Sequence, residues 1–136
     1  MYSLRWMWAP AAVLLLLGLS IYACVGPSFS AHKLSGEAEL RPDQYAQELV
    51  TRGLHSRMRH PIYVAHLTNF AGCAIGSGLV VSYILLGFSV VLTFPLMIWL
   101  EERELAVRFG ESYREYRQRV PLLPGLLMRH QRKRIT

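Results

Sequence analysis

Arg59-His60-Pro61-Ile62-Tyr63 stands directly before an apolar run, and Glu101-Glu102 stands directly after the next one. Arg59 offers a planar fork of donors suited to a carboxylate or phosphate, His60 can donate or accept, and the two glutamates bring negative charge. That mixture suits a zwitterionic or doubly charged small molecule. Lipid holds no water to satisfy a polar group, so an Arg, a His and two Glu at a membrane edge demand partners. If residues 62–100 enter the bilayer and return, the two clusters meet on one face, and a polar pocket opens beside lipid. Taken singly, the same residues read equally well as charges marking the ends of membrane helices.

The elements that must position them are apolar blocks, concentrated rather than spread along amphipathic faces, in a chain of 136 residues that is 52% hydrophobic. This is the pattern of a small all-α integral membrane protein. Trp6 to Cys24 is uncharged for 19 residues, and at 1.5 Å of rise per residue that is about 28 Å, a hydrocarbon thickness. Leu79 to Leu100 is uncharged for 22 residues and spans with some tilt. Ile62 to Ile75 has only 14 residues and carries His66 and Asn69; the Gly76-Ser77-Gly78 turn joins it to the longer block as a hairpin. About three transmembrane helices are expected.

Basic residues set the orientation, because short loops rich in Lys and Arg stay in the cytoplasm. Lys33, Arg41, Arg52, Arg57 and Arg59 lie between the first two blocks, Arg5 alone precedes the first, and nine Lys or Arg follow Leu100. The N-terminus is therefore expected outside, and both polar clusters and the C-terminus inside, as in a bacterial inner-membrane protein. The net charge of +6 reads as topology plus attraction to anionic headgroups, with no recognition module for nucleic acid. The first block is longer than the core of a cleaved signal, so an anchor is expected.

Four segments follow. Residues 1–25 form the N-terminal helix. Residues 26–52 form a loop, marked by Pro27, Ser28, Ser30, Ser35 and Gly36, and then a short interfacial helix opened by Pro42 and carrying Tyr45, Leu49 and Val50. Residues 53–125 hold both clusters and form the core, and residues 126–136 form a frayed basic tail. Within the hairpin, Gly72 and Gly76 repeat small residues at a spacing that lets helix backbones approach, so the short helix is expected to pack tightly on its hairpin partner. Pro95 should kink the third helix just before Glu101. Beyond Glu102, Leu105 with Phe109, then Gly110 as a terminator, then Tyr113, Tyr116 and Val120, predict two short amphipathic helices that cap the polar site and are ended by Pro121 and Pro124.

Other polar residues have plainer uses. His66 and Asn69 suit hydrogen bonds between helices, Tyr113 and Tyr116 suit packing, and Trp6, Trp8 and Trp99 suit the membrane interface. Cys24 and Cys73 show no metal-ligand spacing, and His60, His66, Glu101 and Glu102 show no ligand pair characteristic of one metal.

The ordered set Gly53, Arg59-His60-Pro61, Tyr63, apolar hairpin, Glu101-Glu102, Leu105, Phe109-Gly110, Tyr113, Tyr116, Val120-Pro121 and Pro124 resembles the isoprenylcysteine carboxyl methyltransferases and the related phospholipid methyltransferases. The likeness covers about residues 50 to 125. It implies a methyltransferase binding S-adenosylmethionine near the cytoplasmic membrane face and acting on a lipidic or hydrophobic acceptor. It carries over Arg59, His60, Pro61, Tyr63, Glu101 and Glu102 as cofactor positions, with Arg59 and Glu102 catalytic. The upstream stretch, Gly-Pro-Tyr in many relatives and part of their cofactor pocket, is Gly53-Leu54-His55 here, so the resemblance implies these three as cofactor positions too, and Ala65 replaces a glycine.

No metal is implied. A sulfonium methyl is already activated, so a protein needs mainly to align the acceptor and exclude water. A carboxylate acceptor needs no strong base, whereas an amine would pass a proton to Glu102 or His60. Two other readings stay open: a reductase of the sterol type, which shares an Arg-His-Pro-Tyr segment and uses a reduced nicotinamide cofactor, and a non-enzymatic membrane scaffold. A chain with three spans could also dimerise to complete its pocket.

Overall fold

A computed structural model describes residues 5–28 and 49–123. Pro42 and Tyr45 of the expected interfacial helix, Pro124 and the basic tail lie outside the described residues, and Leu49 and Val50, at the end of that helix, are not helical. Regular structure among the described residues is entirely helical. Helix α1 runs Trp8–Val25 and is apolar on every side, the composition of a helix in lipid rather than one burying a single face.

Helix α2 runs Pro61–Ser77 and starts where Pro61 supplies a preset φ and lacks the N–H that a first turn leaves unpaired. It ends at Gly78, whose φ of +62° turns the chain while its N–H bonds the Ala74 carbonyl at 3.2 Å. The Ser77 hydroxyl receives the Leu79 N–H at 3.3 Å and closes the hairpin turn.

Helix α3, Val80–Phe88, passes through a π turn over Ser89–Thr93 into α4, Phe94–Arg119. The wide turn lies immediately before Pro95, and there the Phe94 N–H reaches back five residues to the Ser89 carbonyl. The proline's missing donor is thus absorbed by a π turn, which keeps the helix continuous. Among the described residues, two helical stretches are long and apolar enough to cross a membrane, α1 and the continuous α3–α4. Helix α2 is shorter, at 17 residues, and carries His66 and Asn69.

The glycine pair of α2 serves a different neighbour from the one expected. Helix α2 lies antiparallel on α1, not tightly on its hairpin partner: a Cβ at Gly72 would stand 3.1 Å from the Ala11 carbonyl oxygen, and one at Gly76 would stand 3.3 Å from the Ala11 Cβ. On the facing helix, Gly18 leaves room for the Asn69 amide, so small residues on both helices allow the close approach. Gly72→Val should force α1 and α2 apart and destabilise the fold by about 1–3 kcal/mol. Unfolding in mild detergent, compared with Gly87→Ala at a site open on all sides, checks this.

Helices α3 and early α4 present Val80, Ile84, Leu85, Phe88, Val91, Leu92, Leu96 and Trp99 on the outer surface, as a lipid-facing helix does. At the other end, Tyr113, Tyr116 and Val120 are buried together against Leu49, Leu105, Ala106 and Phe109, as in a water-soluble domain. The two expected amphipathic segments are present on either side of Gly110, but the first is not a separate short helix, because α4 continues without a break from the apolar block through Glu101 to Phe109. Helix-favouring residues from Leu100 to Phe109 offer no stop signal. At Gly110, φ of +53° and ψ of −122° make an elbow, and the helix resumes at once. It ends at Val120, which is extended before Pro121.

Candidate functional site

Arg59 and His60 occupy the two positions before α2, and Glu101 and Glu102 lie on α4 just past its apolar part. The hairpin brings them together. Arg59 Nη1 pairs with Glu102 Oε1, and His60 Nε2 lies 3.2 Å from the same oxygen. His60 Nδ1 faces Glu101 Oε2 at 3.5 Å, so the ring sits between both carboxylates. The side chains of Arg59 and Glu102 are only 10% and 12% exposed, so their charges are screened far less than those of a surface pair.

Arg117 approaches the second oxygen of Glu102, Nε to Oε2, at 3.6 Å. In a straight helix residues 102 and 117 would be separated by about 22 Å of rise. The elbow at Gly110 is what folds the last helical segment back over the cluster.

That returning segment also grips the Arg59 loop. The Tyr116 hydroxyl donates to the His55 carbonyl at 2.6 Å, and the Arg59 N–H donates to the Pro121 carbonyl at 2.9 Å. Tyr116→Phe would leave the buried His55 carbonyl without this donor, at a cost of about 1–3 kcal/mol; denaturant unfolding measures it. Burial pushes the Tyr116 phenol up to about 12. Tyr113 lies against Arg59 and Glu102: burial and then the Glu102 charge raise its pKa, and Arg59 pulls it partly back.

The remaining expected site residues divide by role. Tyr63, one turn into α2, sets its ring edge-on to His60 with centroids 5.6 Å apart. Pro61 is fully buried at the helix start. Gly53 turns the chain at φ +62°, and the Leu54 carbonyl receives the N–H groups of Arg57 and Met58, both at 3.0 Å. These two shape the loop with backbone. His55 is buried, and burial followed by the His60 charge lowers its pKa from the ordinary 6.5 while Glu101 pulls it partly back. Burial pushes the Glu101 carboxyl up, but the hydrogen bond and charge of His60, with Tyr63 and His55, outweigh it and hold the carboxyl low.

A histidine held neutral in the fold and free to protonate when unfolded makes stability fall with pH below 6.5, down to its lowered folded value. Urea unfolding at pH 7.5 and 5.5 should show the lower midpoint at 5.5, and His55→Asn should shrink the difference.

Arg117, Tyr113, Tyr116 and the Pro121 carbonyl were not visible as site groups in the sequence. Their signals were the Tyr113, Tyr116, Val120 spacing after Gly110, which reads as packing on a capping helix, and the place of Tyr113, Tyr116 and Pro121 in the ordered set that carries the resemblance. Arg59 also holds an unspent donor: its Nε is buried and has no hydrogen-bond partner among the described residues. With Nη1 committed to Glu102, that free edge suits an incoming carboxylate.

Comparison with known proteins shows the family of the chain. The family model for phospholipid methyltransferases matches residues 7–112. A protein-S-isoprenylcysteine O-methyltransferase of Schizosaccharomyces pombe is 41% identical over 75 residues, covering 54% of this chain and 31% of the relative. A cobalt-zinc-cadmium resistance protein of Cupriavidus metallidurans is 36% identical over 107 residues, covering 78% of this chain and 45% of the relative. Methanethiol S-methyltransferase 1 of Bradyrhizobium diazoefficiens is 33% identical over 70 residues, covering 52% of this chain and 24% of the relative. The chain thus spans less than half the length of each of these three relatives. No solved structure matches it significantly. The family match covers α1, the hairpin, the Glu pair and the start of the returning segment, and the chain belongs to the phospholipid methyltransferase family.

Proposed function

We propose that this chain takes a methyl group from S-adenosylmethionine and transfers it to a lipidic or hydrophobic acceptor at the cytoplasmic membrane face. The observation that carries the reading is the mixed cluster itself: Arg59, with one donor edge open, and a carboxylate pair drawn around His60. A cofactor carrying a carboxylate, an ammonium and a sulfonium fits that donor set. Arg59 Nε would take the carboxylate, and Glu101, whose carboxyl is held low and is partly exposed, would face the positive groups. Residues 53–125 are the working unit, and residues 1–25 anchor it with the N-terminus outside.

When bound, the cofactor supplies an activated methyl. The protein's share is placement and dryness. Glu102 fixes Arg59 and His60 from one oxygen, Tyr116 and Pro121 clamp the loop that carries them, and Arg117 closes over the outer side. The exposed apolar faces of α3 and early α4 meet lipid, so an acceptor dissolved in the bilayer need not cross water to reach the cluster. A second copy could complete the lipid-side wall.

The test uses the purified chain in lipid vesicles, methyl-tritiated S-adenosylmethionine and a membrane lipid extract. Label moving into the organic phase, and lost in Glu102→Gln, is expected. No transferred label, or transfer that Glu102→Gln leaves intact, contradicts the reading.

A further inference from the structure

Methylating a thiol or an amine releases a proton, and the groups at the cluster are poorly placed to take it. Glu102 is engaged by Arg59, His60 and Arg117, both ring nitrogens of His60 face carboxylates, and Glu101, held low, faces the cofactor's positive groups on the reading above. A base needs an unclaimed lone pair within reach of the acceptor.

His66 has one. It lies about 9 Å of helix rise beyond His60 on the lipid side, half-buried on α2. Its Nδ1 is 2.8 Å from the Ile62 carbonyl oxygen. A carbonyl only accepts, so Nδ1 carries the hydrogen and Nε2 is left as an acceptor. No described residue provides a donor to Nε2. An ionisable ring within an apolar block is costly unless it is used.

The surroundings of His66 connect it to the cluster. Its ring meets Tyr22 of α1 edge-on with centroids 5.4 Å apart, Phe70 edge-on at 6.2 Å, and Tyr63 at 6.4 Å. Tyr63 continues to His60 at 5.6 Å, while Phe94 of α4 packs on both Tyr63 and Phe70. Aromatic rings therefore line the way from Phe70, itself 45% exposed toward lipid, to the cofactor-binding cluster. Only Tyr22 and Tyr63 among its ring partners titrate, and none carries a carboxylate.

We propose that His66 Nε2 is the acceptor-side base: it receives the hydrogen bond of a neutral protic acceptor, a thiol or an amine, and then its proton. The chain would accordingly favour such acceptors over carboxylates, whose oxygens have no hydrogen to offer an acceptor nitrogen. This rests on the methyltransferase reading above. In the balanced step the acceptor's X–H bond is replaced by X–CH3, His66 Nε2 keeps the proton, and the electrons of the broken methyl bond stay on sulfur as a neutral thioether.

The test places chain with 15N-labelled histidine in phosphatidylcholine vesicles with saturating S-adenosylhomocysteine, then adds decanethiol, decylamine or decanoate. Decanethiol or decylamine should shift the His66 Nε2 resonance, with decanoate leaving it in place, and the responding probe identifies thiol or amine. With that probe and S-adenosylmethionine, His66→Ala should lower kcat about a hundredfold with S-adenosylhomocysteine affinity unchanged. His66→Gln, which keeps an acceptor but no comparable basicity, should retain KM while kcat stays low. A resonance unmoved by both protic probes, a response to decanoate as large as theirs, or an unchanged kcat in His66→Ala overturns the proposal. If the wild-type chain fails to bind S-adenosylhomocysteine, the cofactor reading falls with it; if that binding is intact and His66 is silent, the proposal alone falls.

Discussion

Glu102→Gln should lower methyl transfer at least about a hundredfold and weaken cofactor binding, the largest loss expected from any isosteric change in the chain. One carboxylate faces Arg59, His60 and Arg117, and it is largely buried. Gln keeps the shape and one acceptor oxygen but removes the charge, leaving Arg59 uncompensated. Breaking a buried pair by removing one partner destabilises the surroundings by about 3–5 kcal/mol, and an Arg59 no longer held in place loses the alignment for which a misplacement of about 1 Å can cost about a hundredfold in rate. Arg117→Ala removes only the most exposed of the three partners, so it should cost less than tenfold. Label transfer measured for the two variants side by side decides between a central carboxylate and a diffuse patch. Equal losses in both would point to the patch.

Gly110→Val should be the most damaging change outside the charged cluster. The backbone there has φ +53° and ψ −122°, a conformation that a β-branched residue does not adopt without strain. The substituted chain relieves the strain by straightening the helix, which carries Arg117 away from Glu102 and withdraws the Tyr116 and Pro121 contacts. A Cβ at position 110 meets nothing within 4 Å, so the damage comes from backbone conformation and not from crowding. Cofactor affinity should fall by at least about tenfold with helical content by circular dichroism nearly unchanged. Gly87→Ala, in an open helical position with ordinary φ, should bind as the wild type does.

Both expectations turn on features that differ in how readily the sequence shows them. The meeting of Arg59 and His60 with Glu101 and Glu102 was legible, because two uncharged blocks joined by a Gly-Ser-Gly turn leave the flanking charges nowhere else to go. The partner of the Gly72 and Gly76 face was not. Small residues signal close approach but not which helix approaches, and α1 offers Ala11 and Gly18 at the matching depths. Gly110 read as a stop because glycine commonly ends helices, and the helix does break there, at an elbow; composition does not show in which direction the chain resumes. Long-range contacts of Arg117 and Pro121 follow from that elbow, so they were hidden with it. Local chemistry was readable where chain direction was fixed by apolar blocks, and lost where a single backbone angle fixed it.

The central claim is that the buried Arg59–Glu102 cluster holds S-adenosylmethionine. Its most direct test is calorimetric titration of the purified chain with S-adenosylhomocysteine, repeated on Arg59→Ala. The account predicts binding near micromolar in the wild type, weakened about ten- to a hundredfold without the Arg59 fork, since a charge-assisted hydrogen bond is worth about 1.5–3 kcal/mol and 1.4 kcal/mol is tenfold in affinity. Binding of a reduced nicotinamide dinucleotide instead, or S-adenosylhomocysteine affinity that ignores the loss of Arg59, would contradict it.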